Sequence, residues 1–147
     1  GEAKRLTVDD SWAEERVAMG VDRAEAESGP GAHTITRWIG IDAPDHTPRT
    51  TSLEVETPGW LILCSDGLWN YASEADALAA VVRDIARQGA DREQADGAAS
   101  ESSAASEGSA ALVLSRDLVT WANAQGGHDN ITVVAARLPG EKEGTDG

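Results

Sequence analysis

The sequence predicts an α+β fold in which helices pack on a largely antiparallel sheet. Three observations carry that expectation. Trp60-Leu61-Ile62-Leu63-Cys64 is an unbroken apolar run of strand length that closes on Ser65-Asp66-Gly67. Two amphipathic helical patterns follow it, one opening at Ser73 and one at Ala111. A last apolar stretch, Ile131–Leu138, returns after Gly126-Gly127 as a closing strand.

Taken in order, Arg5-Leu6-Thr7-Val8 reads as a short strand. Ser11-Trp12-Ala13-Glu14 is a capping box, with Ser11 as N-cap and Glu14 at the third helical position. A helix over 12–19 is therefore expected, ended by Gly20 in the left-handed conformation. A second helical turn covers 22–27 and breaks at Gly29-Pro30-Gly31. Residues 33–39 alternate polar and apolar, as a half-buried strand does. Residues 42–49 contain two prolines and read as loop.

Thr50–Glu56 places Leu53 and Val55 on one face. Pro58-Gly59 then signals a type II turn, so 50–56 and 60–65 are expected to form a β-hairpin. The second strand of that hairpin is apolar throughout and is expected to be central, buried on both faces. From Ser73 a helix carries Leu78, Val81, Val82 and Ile85 as one stripe and ends near Gly89. Residues 90–109 are rich in Ala, Ser, Gly, Asp and Glu and lack large apolar side chains, which predicts a disordered acidic connector. Ala111–Gln125 is helical, with Leu114, Leu118, Trp121 and Ala122 on a common face. Residues 139–147 form a polar tail. Trp38, Trp60, Trp69 and Trp121 all fall on apolar faces and are expected in the core.

Composition narrows the function classes. With 12 basic and 26 acidic residues the formal charge is 12 − 26 = −14, which disfavours nucleic acid and anionic membrane surfaces as partners. A phosphorylated substrate is repelled too, unless bound cations reverse the sign locally. No apolar run approaches the roughly 20 residues of a membrane span. The one cysteine, Cys64, excludes an internal disulfide, reads as a buried thiol and fits a cytoplasmic setting. The chain does not begin with Met, which suits a processed, excised or partial chain.

Two aspartates stand out. Asp66 follows the apolar run, and Asp129 precedes the closing strand in Gly127-His128-Asp129-Asn130-Ile131. Alone, each is an ordinary turn aspartate. If their strands are neighbours in one sheet, both carboxylates reach one point, and converging carboxylates suit a hard cation such as Mg²⁺ or Mn²⁺.

These residues resemble the type 2C metal-dependent serine/threonine protein phosphatases. Leu63-Cys64-Ser65-Asp66-Gly67-Leu68-Trp69 matches the family's Ser-Asp-Gly-Leu-Trp motif, and Gly127–Val133 matches its closing Gly-x-Asp-Asn-x-Thr/Ser-Val motif. Leu6–Ser11 and Thr34–Gly40 resemble two further family stretches in the same order. The resemblance spans about 5–138 and identifies the chain as the C-terminal part of a catalytic domain, with 90–109 as an insertion. It implies a four-layer α-β-β-α sandwich, here incomplete. It also implies two Mg²⁺ or Mn²⁺ ions, with a third in some members, and a bridging water that hydrolyses phosphoserine and phosphothreonine in proteins. Asp66 and Asp129 match ligands of the second metal, and Asp9 matches a ligand of the third. Asn130 matches a group that holds the turn. The implied partners are phosphorylated proteins, the kinases that modify them and those kinases' substrates.

The departures are specific. Asn70 stands where one family variant has an aspartate, and Asp10 where the family has a histidine. The family's phosphate-gripping Arg, its Asn-Glu-Asp segment and its Asp-Gly-x-Gly-Gly motif do not occur in these 147 residues. A non-catalytic phosphatase-like binding or regulatory module is therefore the competing expectation. A third is an acidic α/β domain whose aspartates only form turns.

Overall fold

The structure, a computed structural model, describes residues 2–95 and 103–140. It is a small mixed helix and strand protein whose one sheet, among the described residues, is a two-stranded antiparallel ribbon. The chain divides into two compact units, residues 5–53 and residues 54–147 together with 1–4.

In the first unit, α1 (Trp12–Ala18) starts as its sequence requires: Ser11 Oγ accepts from the Glu14 N–H at 3.3 Å. Gly20 follows the helix at φ +93, a left-handed conformation that costs glycine little. The short α2 (Arg23–Ser28) is capped by Asp22, which accepts from the Glu25 N–H. A small core of Ala13, Ala26 and Ala32 lies between them.

Neither strand expected in this unit forms. Residues 5–8 are irregular, and 33–39 contributes a single bridge, Ser11↔Ile35. The reason lies in where its backbone groups are used. Thr34 and Ala32 carbonyls accept from the Trp12 and Ala13 N–H groups at 2.9 and 3.0 Å, satisfying donors that a helix start leaves open. The segment thus wraps the start of α1 and does not extend a sheet. Trp38 is 41% exposed, so it is not the core residue its pattern suggests.

Glu14 anchors this unit electrostatically. It is buried and receives Arg23 Nη1 at 2.7 Å and Arg5 Nη2 at 2.6 Å. Burial by itself raises its carboxyl pKa, and the hydrogen bonds and charges of Arg23 and Arg5 overcome that and hold it below its ordinary value.

In the second unit, β1 (Gly59–Cys64) pairs with β2 (Val133–Leu138), from Gly59↔Leu138 to Cys64↔Val133. The hairpin expected from Pro58-Gly59 does not form, and 50–56 holds no strand. A type II turn needs a positive φ at its glycine. Gly59 is instead the first residue of β1 and is not among the positive-φ glycines. The residues that satisfy β1 are Val133, Val134, Ala135 and Ala136, which are more apolar than the Thr- and Glu-rich 50–56.

Among the described residues, three helices complete the unit: α3 (Asp66–Trp69), α4 (Ala75–Ala95) and α5 (Ser103–Gln125). The core is Leu68, Val82, Leu114, Leu118 and Ala122, with Trp60, Ile62, Cys64, Val133 and Ala135 supplied by one face of the ribbon. The α4 stripe of Leu78, Val81, Val82 and Ile85 packs into it as its spacing predicts. Trp121 meets Tyr71 edge-to-face, with centroids 6.5 Å apart. Ser115 Oγ accepts from the Ala135 N–H at 3.1 Å, so α5 also closes the outer edge of β2.

The ribbon's other face carries Leu61, Leu63, Val134 and Ala136, paired as Leu61↔Ala136 and Leu63↔Val134. Leu63 and Val134 are each 54% exposed, so β1 is not buried on both faces. Cys64 is half-buried.

The helices are longer than their patterns indicate. α4 passes through Gly89, whose cost of about 1 kcal/mol is small against a long Ala-rich helix held by Arg92 to Asp117 on α5. Residues 90–95 and 103–109 are thus helical, contrary to the disordered connector expected over 90–109, of which 96–102 lie outside the described residues. At the far end Pro139 and Gly140 are placed, Gly140 at φ +71 against Pro58, while 141–147 lie outside the described residues.

Candidate metal centre

The antiparallel register decides where the two aspartates fall. Cys64 opposite Val133 brings the turn after β1 and the turn before β2 to the same end of the ribbon. Asp66, half-buried, begins α3 two residues beyond Cys64. Asp129, exposed, lies four residues before Val133.

Ser65 joins the turns. Its N–H donates to the Thr132 carbonyl at 3.0 Å, its Oγ donates to the Asn130 carbonyl at 2.9 Å, and its Oγ accepts from the Thr132 N–H at 3.0 Å. Gly67 lets the backbones approach. A Cβ there would overlap the Asn130 carbonyl oxygen and come within 3.0 Å of its carbon and 3.2 Å of Ile131 Cγ1. An Asp-Gly pair is a common turn signal, but here the glycine is required by a contact 63 residues away in sequence.

A second tie lies further round the loop. The His128 N–H donates to the Tyr71 hydroxyl at 3.2 Å, pinning the Asp129 loop to the segment after α3. Gly127, at φ +58, turns the chain out of α5, and a Cβ there would sit 2.8 Å from Asn123 Oδ1. His128 itself is exposed, as are His33 and His46.

The Asp129 carboxylate is oriented by its own neighbour, since Oδ1 accepts from the Asn130 N–H at 2.7 Å and Oδ2 remains for an outside partner. Asn130 holds the turn through its backbone, its N–H on Asp129 and its carbonyl on Ser65. Asn70 caps the end of α3 and is exposed.

Asp9 belongs to the unit of residues 5–53, where it is half-buried and engaged with a partner. Its neighbour Asp10 pairs with Arg49 at 2.5 Å, and Arg37 reaches Asp45 at 2.9 Å. The structure therefore gathers Asp66 and Asp129 within one unit and gives Asp9 to the other. Among the described residues no three or more His, Cys, Asp or Glu side chains cluster as a complete cation cage.

Sequence reading missed Ser65 and Tyr71 as members of this site. Ser65 lies inside the quoted motif, so the signal was present, but its role requires knowing that β1 pairs with β2. Tyr71, two residues after Trp69, carried no sequence signal. Compared with known proteins, the chain matches no family model, no curated protein and no solved structure.

Proposed function

We propose that this chain supplies the second-metal half of a metal-dependent phosphoserine/phosphothreonine phosphatase of type 2C character. The observation that carries the reading is the ribbon register, with Ser65 and Gly67 binding the Asp66 turn to the Asp129 turn. Two aspartates on adjoining turns at one end of the ribbon suit a hard cation, because Mg²⁺ is ordinarily held by one or two carboxylates with water and substrate phosphate completing its shell. Asp66 and Asp129 suit that role as a half-site for a Mg²⁺ or Mn²⁺; the resemblance alone gives Asp9 to a third, weaker position. When bound, such ions lower the pKa of a water and neutralise the phosphoryl oxygens.

The chain's own residues prepare the place. Ser65, Gly67 and Tyr71 fix the two turns, and Asn130 turns the Asp129 carboxylate. The phosphate-gripping and metal-bridging groups are supplied from outside these 147 residues. The apolar face on which Leu63 and Val134 are exposed suits a second sheet packed there, as a four-layer α-β-β-α sandwich requires. Phosphorylated proteins are the substrates, opposing protein kinases, in a cytoplasmic setting. Among the described residues no helix is long and apolar enough to cross a membrane.

One observation favours a second reading, a non-catalytic phosphatase-like module: the acidic cluster in the described residues stops short of three ligands. The experiment separates the two. In the full-length protein, Asp66→Asn and Asp129→Asn each abolish Mn²⁺-dependent hydrolysis of a phosphothreonine peptide if the enzymatic reading holds. Activity retained in both variants defeats it. Phosphopeptide binding that ignores chelation, without hydrolysis by the wild type, establishes the module.

A further inference from the structure

We infer that Ser65 is a positioning residue that makes the Asp66 and Asp129 turns a single unit, an inference that rests on the metal-binding reading of that pair. Serine immediately before a helix ordinarily accepts from an N–H of its own first turn. Ser65 occupies that N-cap position of α3 and makes no side-chain capping bond. Its hydroxyl is committed instead across the ribbon, donating to the Asn130 carbonyl at 2.9 Å and accepting from the Thr132 N–H at 3.0 Å.

The consequence reaches both carboxylates. Ser65 is the chain neighbour of Asp66. Asn130, whose carbonyl it holds, is the chain neighbour of Asp129 and donates its own N–H to Asp129 Oδ1 at 2.7 Å. Fixing residue 130 from one side therefore sets the direction of the Asp129 carboxylate on the other. Gly67 lies against the same carbonyl, so residues on both sides of Asp66 register on the backbone of residue 130. A local cap is given up for a long-range tie, and what the tie joins is the pair of aspartates.

Two ligands held as a unit bind a cation as a chelate, whereas two independent turns bind it separately and more weakly. The test is a MgCl₂ titration of the full chain at constant ionic strength, followed by amide NMR shifts at Asp66 and Asp129. The wild type is expected to show one midpoint shared by both residues. Ser65→Ala is expected to separate the two curves and raise both midpoints by about tenfold or more, and Ser65→Thr, which keeps the hydroxyl, to restore the shared midpoint. Ser65→Cys, nearly isosteric with a weak donor, gives the same separation in a smaller degree and serves if the alanine variant does not fold. A loss of packing alone lowers melting temperature without separating the curves. Variants that keep a shared, unshifted midpoint overturn the positioning role and leave the metal reading intact. A wild type in which neither residue responds to Mg²⁺ overturns both.

Discussion

Gly67→Ala tests whether the two aspartate turns meet as described. In an isolated helix the change is favourable, because alanine exceeds glycine in helix propensity by about 1 kcal/mol. The structure reverses the sign. The added Cβ would overlap the Asn130 carbonyl oxygen and lie 3.0 Å from its carbon, and these are backbone atoms set against a buried glycine, not the far end of a flexible side chain. Forcing an extra carbon into such a contact costs about 1–3 kcal/mol, with rigid backbone at the upper end. Subtracting the propensity gain leaves a net loss of about 1–2 kcal/mol, or a melting temperature lower by roughly 5–15 °C for a unit of this size.

Gly89→Ala is the matched control. It lies within α4, and its Cβ would meet only Val113 Cγ1 at 3.9 Å, an ordinary contact. There the propensity term stands alone, and stabilisation of about 0.5–1 kcal/mol is expected. Thermal melts and urea titrations of the two variants against wild type decide the matter. A Gly67→Ala protein that melts with or above the wild type refutes the close approach of the two turns.

Two other outcomes follow from the packing and the charges. The Glu14 carboxyl is held below its ordinary value of 4.5, so its contribution to stability is fully present above that pH and is lost as pH falls through its lowered folded value. Melting temperatures measured from pH 7 down to 3 should decline for the wild type in that acid window, and Glu14→Gln should remove that part of the slope; an unchanged slope contradicts the Arg5–Glu14–Arg23 cluster. Leu118 is fully buried at the centre of the α5 face, and Leu118→Ala should destabilise by about 2–5 kcal/mol in chemical denaturation. A loss under 1 kcal/mol would show that the core lies elsewhere.

Much of the local structure was legible in the sequence. Ser11 and Glu14 marked the start of α1, and Gly20 marked its end. The stripes of α4 and α5 named the residues that pack into the core, Val82, Leu114, Leu118 and Ala122 buried and Leu78, Val81, Ile85 and Trp121 partly so, because a helix of fixed period leaves an apolar face only one place to go. What failed were strands in polar segments. Residues 33–39 alternate as a strand does, yet the carbonyl of Thr34, with that of Ala32 just before the segment, serves the start of α1. The Pro58-Gly59 signal was local, whereas β1 pairs with residues far along the chain, from Cys64↔Val133 to Gly59↔Leu138.

The candidate site divides along the same line. By itself the sequence determined that two aspartates lie in turns bordering apolar strands, and it carried the motifs that resemble a phosphatase. Residue type and spacing suffice for that, because turn chemistry and strand burial are local. Only the tertiary structure decided that the turns stand together. Strand pairing and register are non-local, and a shift of one residue would send every side chain to the opposite face. The tie from Ser65 to Asn130 and Thr132, and the need for glycine at 67, exist only once β1 lies antiparallel to β2.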